Sequence, residues 1–150
     1  MKRNIWVDAD SCPVKEEVIT IATEYEEDVV FISSYAHHVT DPRVTNSIVV
    51  DSEREAVDLY IVNHVKADDI VITQDHALAG ILLPRGAKVI SPRGIIFTEA
   101  DMPQLLEFRH ASKKQRRAGK KTSGPKKFSE QDRQTFCRTL RKILSKKEGL

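Results

Sequence analysis

The sequence predicts an α/β protein with a mainly parallel five-stranded sheet, and three observations carry that reading. Short apolar and β-branched runs at 5–7, 29–32, 48–50, 70–72 and 87–90 alternate with stretches whose apolar residues recur at helical spacing. The separations between the runs suit right-handed βαβ crossovers. Acids follow the first, third and fourth runs, at Asp8, Asp51 and Asp75. In an open α/β sheet the carboxyl ends of strands border the ligand crevice.

The first strand, Ile5 to Val7, leads into Asp8-Ala9-Asp10-Ser11-Cys12-Pro13. Alternating residues at a strand end, Asp8 and Asp10 enter one crevice if the extended geometry persists through Ala9. A helix N-cap would account for one of these acids and leave the other unexplained. Pro13 suits a first helical turn, and Val14, Val18, Ile21, Ala22 and Tyr25 predict an amphipathic helix over 13–25. Cys12 reads as a small buried residue, with a reactive thiol as the competing reading.

After the second strand, the loop 33–46 carries His37 and His38, a pair that is usually solvated and sometimes binds metal or phosphate. The third strand ends in Asp51. Ser52 and Glu55 then form a capping-box pattern opening a helix through about Val65, with Val57, Ile61 and Val65 on its apolar face. Asp58 lies inside that helix without a capping role, so it needs a partner, a function or a solvated edge. Asp68 and Asp69 precede the fourth strand and belong to its opposite end. That strand closes in Thr73-Gln74-Asp75, and a short helix over 76–83 precedes the Pro84-Arg85-Gly86 turn. The turn Ser91-Pro92-Arg93-Gly94 follows the fifth strand and places Arg93 on the acid edge.

From Met102 to Phe108 the pattern is again helical. Residues 109–127 then hold nine Lys and Arg and no acid, broken by Gly119 and Ser123-Gly124-Pro125. A last helix starts at Ser129, with Phe136, Leu140, Ile143 and Leu144 as a docking stripe. The division is thus 1–108 for the α/β domain and 109–150 for a basic segment and helix packed on or tethered to it. Charge follows the same line. Residues 1–108 carry 9 Lys and Arg against 19 Asp and Glu, whereas 109–150 carry 15 against 3, so the overall +2 conceals an acidic body with a basic extension. Segregation of this kind predicts a polyanionic partner, or a tail folded back on its own body.

With 150 residues, 40% hydrophobic and 31% charged, the chain is globular. No apolar run approaches the roughly 20 residues of a membrane span, and the N-terminus lacks a signal-peptide pattern, so a cytoplasmic protein is expected. Two cysteines without ligand spacing exclude a disulfide framework or a zinc module. Nothing in the pattern specifies an oligomeric state.

With strand order 3-2-1-4-5, the topological switch point lies between the first and fourth strands and sets Asp8 and Asp10 beside Asp75. Clustered carboxylates repel unless a cation neutralises them, and all-oxygen ligands favour Mg2+ or Mn2+ over zinc. Such a site would activate water for phosphodiester hydrolysis.

The segments Asp8-Ala9-Asp10-Ser11-Cys12-Pro13-Val14-Lys15, Val71 to Ala79, Ser91-Pro92-Arg93-Gly94 and Gly124-Pro125-Lys126-Lys127-Phe128, with Asp132, Arg133 and Phe136, together resemble the bacterial YaiI/YqxD family over nearly the whole chain. That family is similar to PIN-like domains, three-layer α/β/α folds whose members are commonly metal-dependent ribonucleases. The resemblance implies that Asp8 and Asp75 are the acids of the first and fourth strands, that Asp10 belongs to the family's own motif, and that Asp58 is the helix-borne acid. The expectation is a nuclease preferring RNA, with Asp8, Asp10 and Asp75 catalytic and a metal held by these and Asp58. Nucleic acid would be gripped by Arg93, Arg109, Lys113, Lys114, Arg116, Arg117, Lys120, Lys121, Lys126 and Lys127. Two alternatives remain. One is a nucleic-acid-binding protein without catalysis, and the other is a phosphatase of haloacid-dehalogenase type with Asp8 as nucleophile. Against the latter, Ser11-Cys12 replaces the usual residues after the second Asp, and the chain has little room for a cap.

Overall fold

The computed structural model describes residues 3–34, 46–50, 56–101 and 127–148. Among the described residues, six strands form one sheet in the order β3-β2-β1-β4-β5-β6. They are β1 (Asn4–Asp8), β2 (Asp28–Ser34), β3 (Asn46–Val50), β4 (Ile70–Ile72), β5 (Lys88–Ile90) and β6 (Ile96–Phe97). The first five pair in parallel in the expected 3-2-1-4-5 order. β6 is an addition to it, pairing antiparallel with β5 through Val89–Phe97 and Ile90–Ile96. Two residues carry too little alternation to be read as a strand from sequence.

The helices are α1 (Lys15–Glu24), α2 (Ala56–His64), α3 (His76–Leu82) and α4 (Glu130–Glu148). The strands are buried from both sides, so their continuous apolar runs feed two cores. Ile5, Val7, Phe31, Ile70 and Ile72 pack under α1 and α4, while Trp6, Val30, Ile32, Val71 and Val89 pack under α2 and α3. The architecture is three-layered, α/β/α. The stripe Phe136, Leu140, Ile143 and Leu144 docks α4 into the first core, each such side chain contributing about 2 kcal/mol by burial. Ser129 and Asp132 cap this helix reciprocally, with Asp132 N–H donating to Ser129 Oγ at 3.1 Å and Ser129 N–H to Asp132 Oδ2 at 3.0 Å.

One local expectation is corrected. The chain does not stay extended through Ala9; Ala9–Ser11 form a 3-10 turn, and α1 begins at Lys15 rather than at Pro13. Turning at the strand end frees β1 from the sheet before Pro13, whose fixed φ sits in the approach to the helix. The histidine pair His37 and His38, Asp51, the Ser52/Glu55 capping box, the 102–108 segment and the basic residues from Arg109 to Lys126 lie outside the described residues. Among the described residues no helix is long and apolar enough to cross a membrane.

Candidate active site

Asp8 ends the central strand, walled by β2 on one side and β4 on the other. Its backbone pairs in register with Ile32, and its side chain is 9% exposed. Thr73, the first residue beyond β4, donates its hydroxyl to Asp8 Oδ2 at 3.0 Å. The same Thr73 oxygen accepts the Asp75 N–H at 3.0 Å. One buried hydroxyl therefore joins the ends of β1 and β4 across the switch point. Thr73 escaped the sequence reading, although its signal was present: a hydroxyl residue at a strand end, two positions before an acid, lies on the side where that strand's neighbour ends.

Asp75 caps α3, with Oδ1 accepting from Ala77 N–H at 2.9 Å and Leu78 N–H at 3.1 Å. Asp10 rides on the 3-10 turn and accepts the Ser34 N–H at 2.9 Å, which fastens the turn to the end of β2. Its place beside Asp8 comes from that turn, not from strand alternation. Both acids act on Asp8. Burial, followed by the charges of Asp10 and Asp75, pushes the Asp8 carboxyl up from 3.8 to about 6 against the opposing Thr73 hydrogen bond. Asp10 and Asp75 thus stand near enough to Asp8 for their charges to act on it.

Asp58 stands elsewhere in the layer, half-buried in the first turn of α2. Cys12 is buried, and burial pushes its thiol up to about 11; it is a packed core residue, protonated at neutral pH. Arg93 is engaged within the fold. Its Nη1 contacts Asp132 Oδ2 at 2.6 Å, and its guanidinium lies 5.6 Å from the centre of the Phe128 ring, so a phosphate at Arg93 would compete with an existing ion pair. Of the basic run, the described residue is Lys127, which is exposed.

Comparison with known proteins places the chain among bacterial relatives. Residues 6–146 match the model of the family described as Uncharacterized BCR, YaiI/YqxD family. A UPF0178 protein of Halalkalibacterium halodurans is 50% identical over 146 residues, spanning 97% of this chain and 93% of the relative. One from Listeria monocytogenes serotype 4b is 41% identical over 143 residues, with 95% and 98% covered. Among solved structures, Rae1 (YacP) of Bacillus subtilis is similar, at 17% identity and a TM-score of 0.44 over 96% of this chain and 99% of that one. With the family model spanning nearly all of the sequence, rim acids included, the chain belongs to the YaiI/YqxD family.

Proposed function

We propose that the protein is a metal-dependent nuclease hydrolysing phosphodiesters, with RNA preferred and the Asp8 rim as its centre. The observation that carries the reading is Asp8 itself, a carboxyl buried at the end of the central strand, held by one hydroxyl and pressed by two further acids. Folding does not require such an arrangement, and a hard cation would relieve it.

The donor set fits magnesium or manganese, being all oxygen. Asp8 Oδ1 and Asp10 Oδ2, the oxygens other than those engaged by Thr73 and Ser34, would hold the ion. Asp75 commits Oδ1 to the α3 amides. Among the described residues no three His, Cys, Asp or Glu side chains form a ready-made shell, so water and substrate phosphate would fill the remaining positions. When bound, such a cation lowers the pKa of coordinated water and neutralises charge on a leaving oxygen. The protein's own residues supply orientation. Thr73 fixes the Asp8 carboxylate, Ser34 fixes Asp10, and the nine cations of 109–127 gather the phosphate backbone with an affinity that falls steeply with salt.

The test is cleavage of single-stranded RNA, duplex RNA and DNA under magnesium and manganese titration, with Asp8→Asn prepared in parallel. Wild type is expected to cleave RNA only with metal, and Asp8→Asn to lose about 100-fold or more in kcat while RNA affinity stays within about twofold. Activity that survives the substitution rejects the site.

A specific observation favours a second reading, a nucleic-acid-binding protein without catalysis: Asp75 and Asp10 each serve as backbone caps. Wild type that binds metal and RNA yet cleaves none of the substrates would support it.

A further inference from the structure

Two turns meet at the amino edge of the sheet, opposite the acid rim, and both are basic. One joins α2 to β4 and carries Lys66; the other leads from α3 into β5 and carries Arg85 and Lys88. Asp68 N–H donates to the Gly86 carbonyl at 3.0 Å and Lys88 N–H to the Asp69 carbonyl at 2.8 Å, while a Cβ at Gly86 would lie 3.3 Å from that of Ala67. All three cations are exposed. Arg85 Nη1 donates to the Val62 carbonyl at 2.8 Å, which sets its guanidinium against the last turn of α2. Residues 1–108 hold 9 Lys and Arg against 19 acids, and three of those nine sit on these touching turns. The acids of the same turns are Asp68 and the buried Asp69, whose carboxylate is taken by three N–H donors. Glu26, Glu27 and Asp28 lie farther along the edge, on the β2 side of β1, with Glu27 paired to Arg3 at 3.6 Å.

An aromatic stack stands beside this basic ledge. His64, the last residue of α2, lies flat on Tyr60 one turn earlier, with ring centres 4.0 Å apart and planes at 14°. Its Nδ1 is 2.8 Å from the Tyr60 carbonyl, which fixes the plane of the ring. Trp6 lies behind both, 6.4 Å from each ring centre, and Asp69 holds its indole N–H at 2.9 Å. Asp69 also accepts the Lys66 N–H. One buried carboxylate therefore fixes the stack and the cationic turn together. Tyr60 covers one face of the His64 ring, and His64 is exposed, so the opposite face is the one a planar ligand would meet. Exposed cations alone are an ordinary solvated surface. An ordered π face next to them is what distinguishes this edge, because a single nucleic-acid strand needs both a stacking platform and a cationic track for its phosphates.

We propose that the amino edge is a contact for single-stranded nucleic acid, separate from the acid rim, in which a base stacks on His64 and the adjoining phosphates lie on Lys66, Arg85 and Lys88. The Arg85 fork suits two phosphate oxygens at once, and the lysines act as point charges beside it. Stacking tolerates any base, so the surface selects single strands rather than a base order. A duplex, whose bases already stack on one another, offers it phosphates only. The edge stands about 16 Å from Asp8, the length of the five-residue β1, and binding there does not depend on cleavage at the rim.

The experiment reads this edge by NMR in the full-length protein, through the amides of Lys66, Ala67 and Gly86 and the indole N–H of Trp6, the one tryptophan of the chain. The titrants are single-stranded hexa-adenylate RNA, a blunt RNA duplex of mixed sequence, inorganic polyphosphate and poly-glutamate, without added divalent metal. The single strand is expected to shift these signals, with an affinity that falls about 20-fold from roughly 50 to 200 mM salt as three phosphates are neutralised. His64→Leu should weaken the single strand about tenfold while polyphosphate stays within about twofold, and His64→Phe should bind the strand within about threefold of wild type. Lys66→Gln with Lys88→Gln should weaken both ligands. Signals unmoved by the single strand at millimolar concentration overturn the proposal. Unchanged strand binding in His64→Leu also overturns it, leaving a general anion patch, and tighter binding of poly-glutamate than of RNA makes the edge a surface for an acidic protein instead. If His64→Leu disturbs the fold, seen as a displaced indole signal before any ligand is added, the duplex decides: binding as tight as that of the single strand rejects the base contact.

Discussion

Asp8 and Asp69 are both buried carboxylates next to β1 or β4, one at each edge of the sheet, and they are treated in opposite ways. Asp69, 4% exposed at the amino edge, accepts from Asn4 N–H at 3.0 Å, the Trp6 indole N–H at 2.9 Å and Lys66 N–H at 2.9 Å. Three donors replace the water it lost, and the group clasps the start of β1 to the approach to β4. Asp8, 9% exposed at the carboxyl edge, receives one hydroxyl and the repulsion of Asp10 and Asp75. A fold able to satisfy one acid so fully leaves the other strained by its neighbours. The difference separates a structural carboxylate from one placed for a cation or a substrate, without appeal to where either lies in a cleft.

The contrast predicts stability effects of opposite sign. The largest belongs to Asp69→Ala, which strips one buried and two part-buried N–H groups of their acceptor and should cost about 3–5 kcal/mol in urea unfolding. A loss below about 1 kcal/mol would erase the distinction between the two acids. Asp8→Asn should stabilise the metal-free protein. Because the folded state raises the Asp8 pKa from 3.8 to about 6, folding binds the proton more tightly, and stability declines as pH rises between those values. Below about pH 3.8 the carboxyl is protonated in folded and unfolded chains alike, and wild type and variant should match. Above about pH 7 the variant should gain up to about 3 kcal/mol, two pK units at 1.36 kcal/mol each. Thermal melts from pH 3.5 to 8 measure the gap. Magnesium should narrow it by stabilising wild type alone, and a gap indifferent to both pH and metal would remove the case for strain at Asp8. The smallest effect is expected at Arg141→Ala. Its pair with Glu24, at 3.1 Å, is about half exposed on both sides, so solvent screening holds the loss below about 1 kcal/mol. Denaturant midpoints for that variant give the scale against which the two buried acids are read.

Part of this was legible in the residues. The strand order and the meeting of Asp8 with Asp75 followed from apolar runs and crossover lengths, because a parallel sheet leaves few topologies to choose among. The α4 stripe was equally plain, since period alone assigns its buried face. The two-residue β6 left no periodic signal. Asp69 reads as an acid at the wrong end of a strand, and nothing local announces the two donors that come from β1, Asn4 and Trp6, 65 and 63 positions away. Asp10 illustrates the same limit from the other side. Strand alternation sets it beside Asp8 only if the chain stays extended through Ala9, yet it arrives on a 3-10 turn held by Ser34.

The sequence by itself determined the layers, the sheet order, the edge on which acids gather and the separation of an acidic body from a basic extension, because each depends on pattern along the chain. Only the tertiary structure decided which acids are satisfied and which are strained, that Thr73 bridges two strand ends, and that Arg93 serves Asp132. Hydrogen-bond donors and desolvation arrive from residues distant in sequence, and a carboxylate's chemistry is set by what surrounds it once the chain has closed.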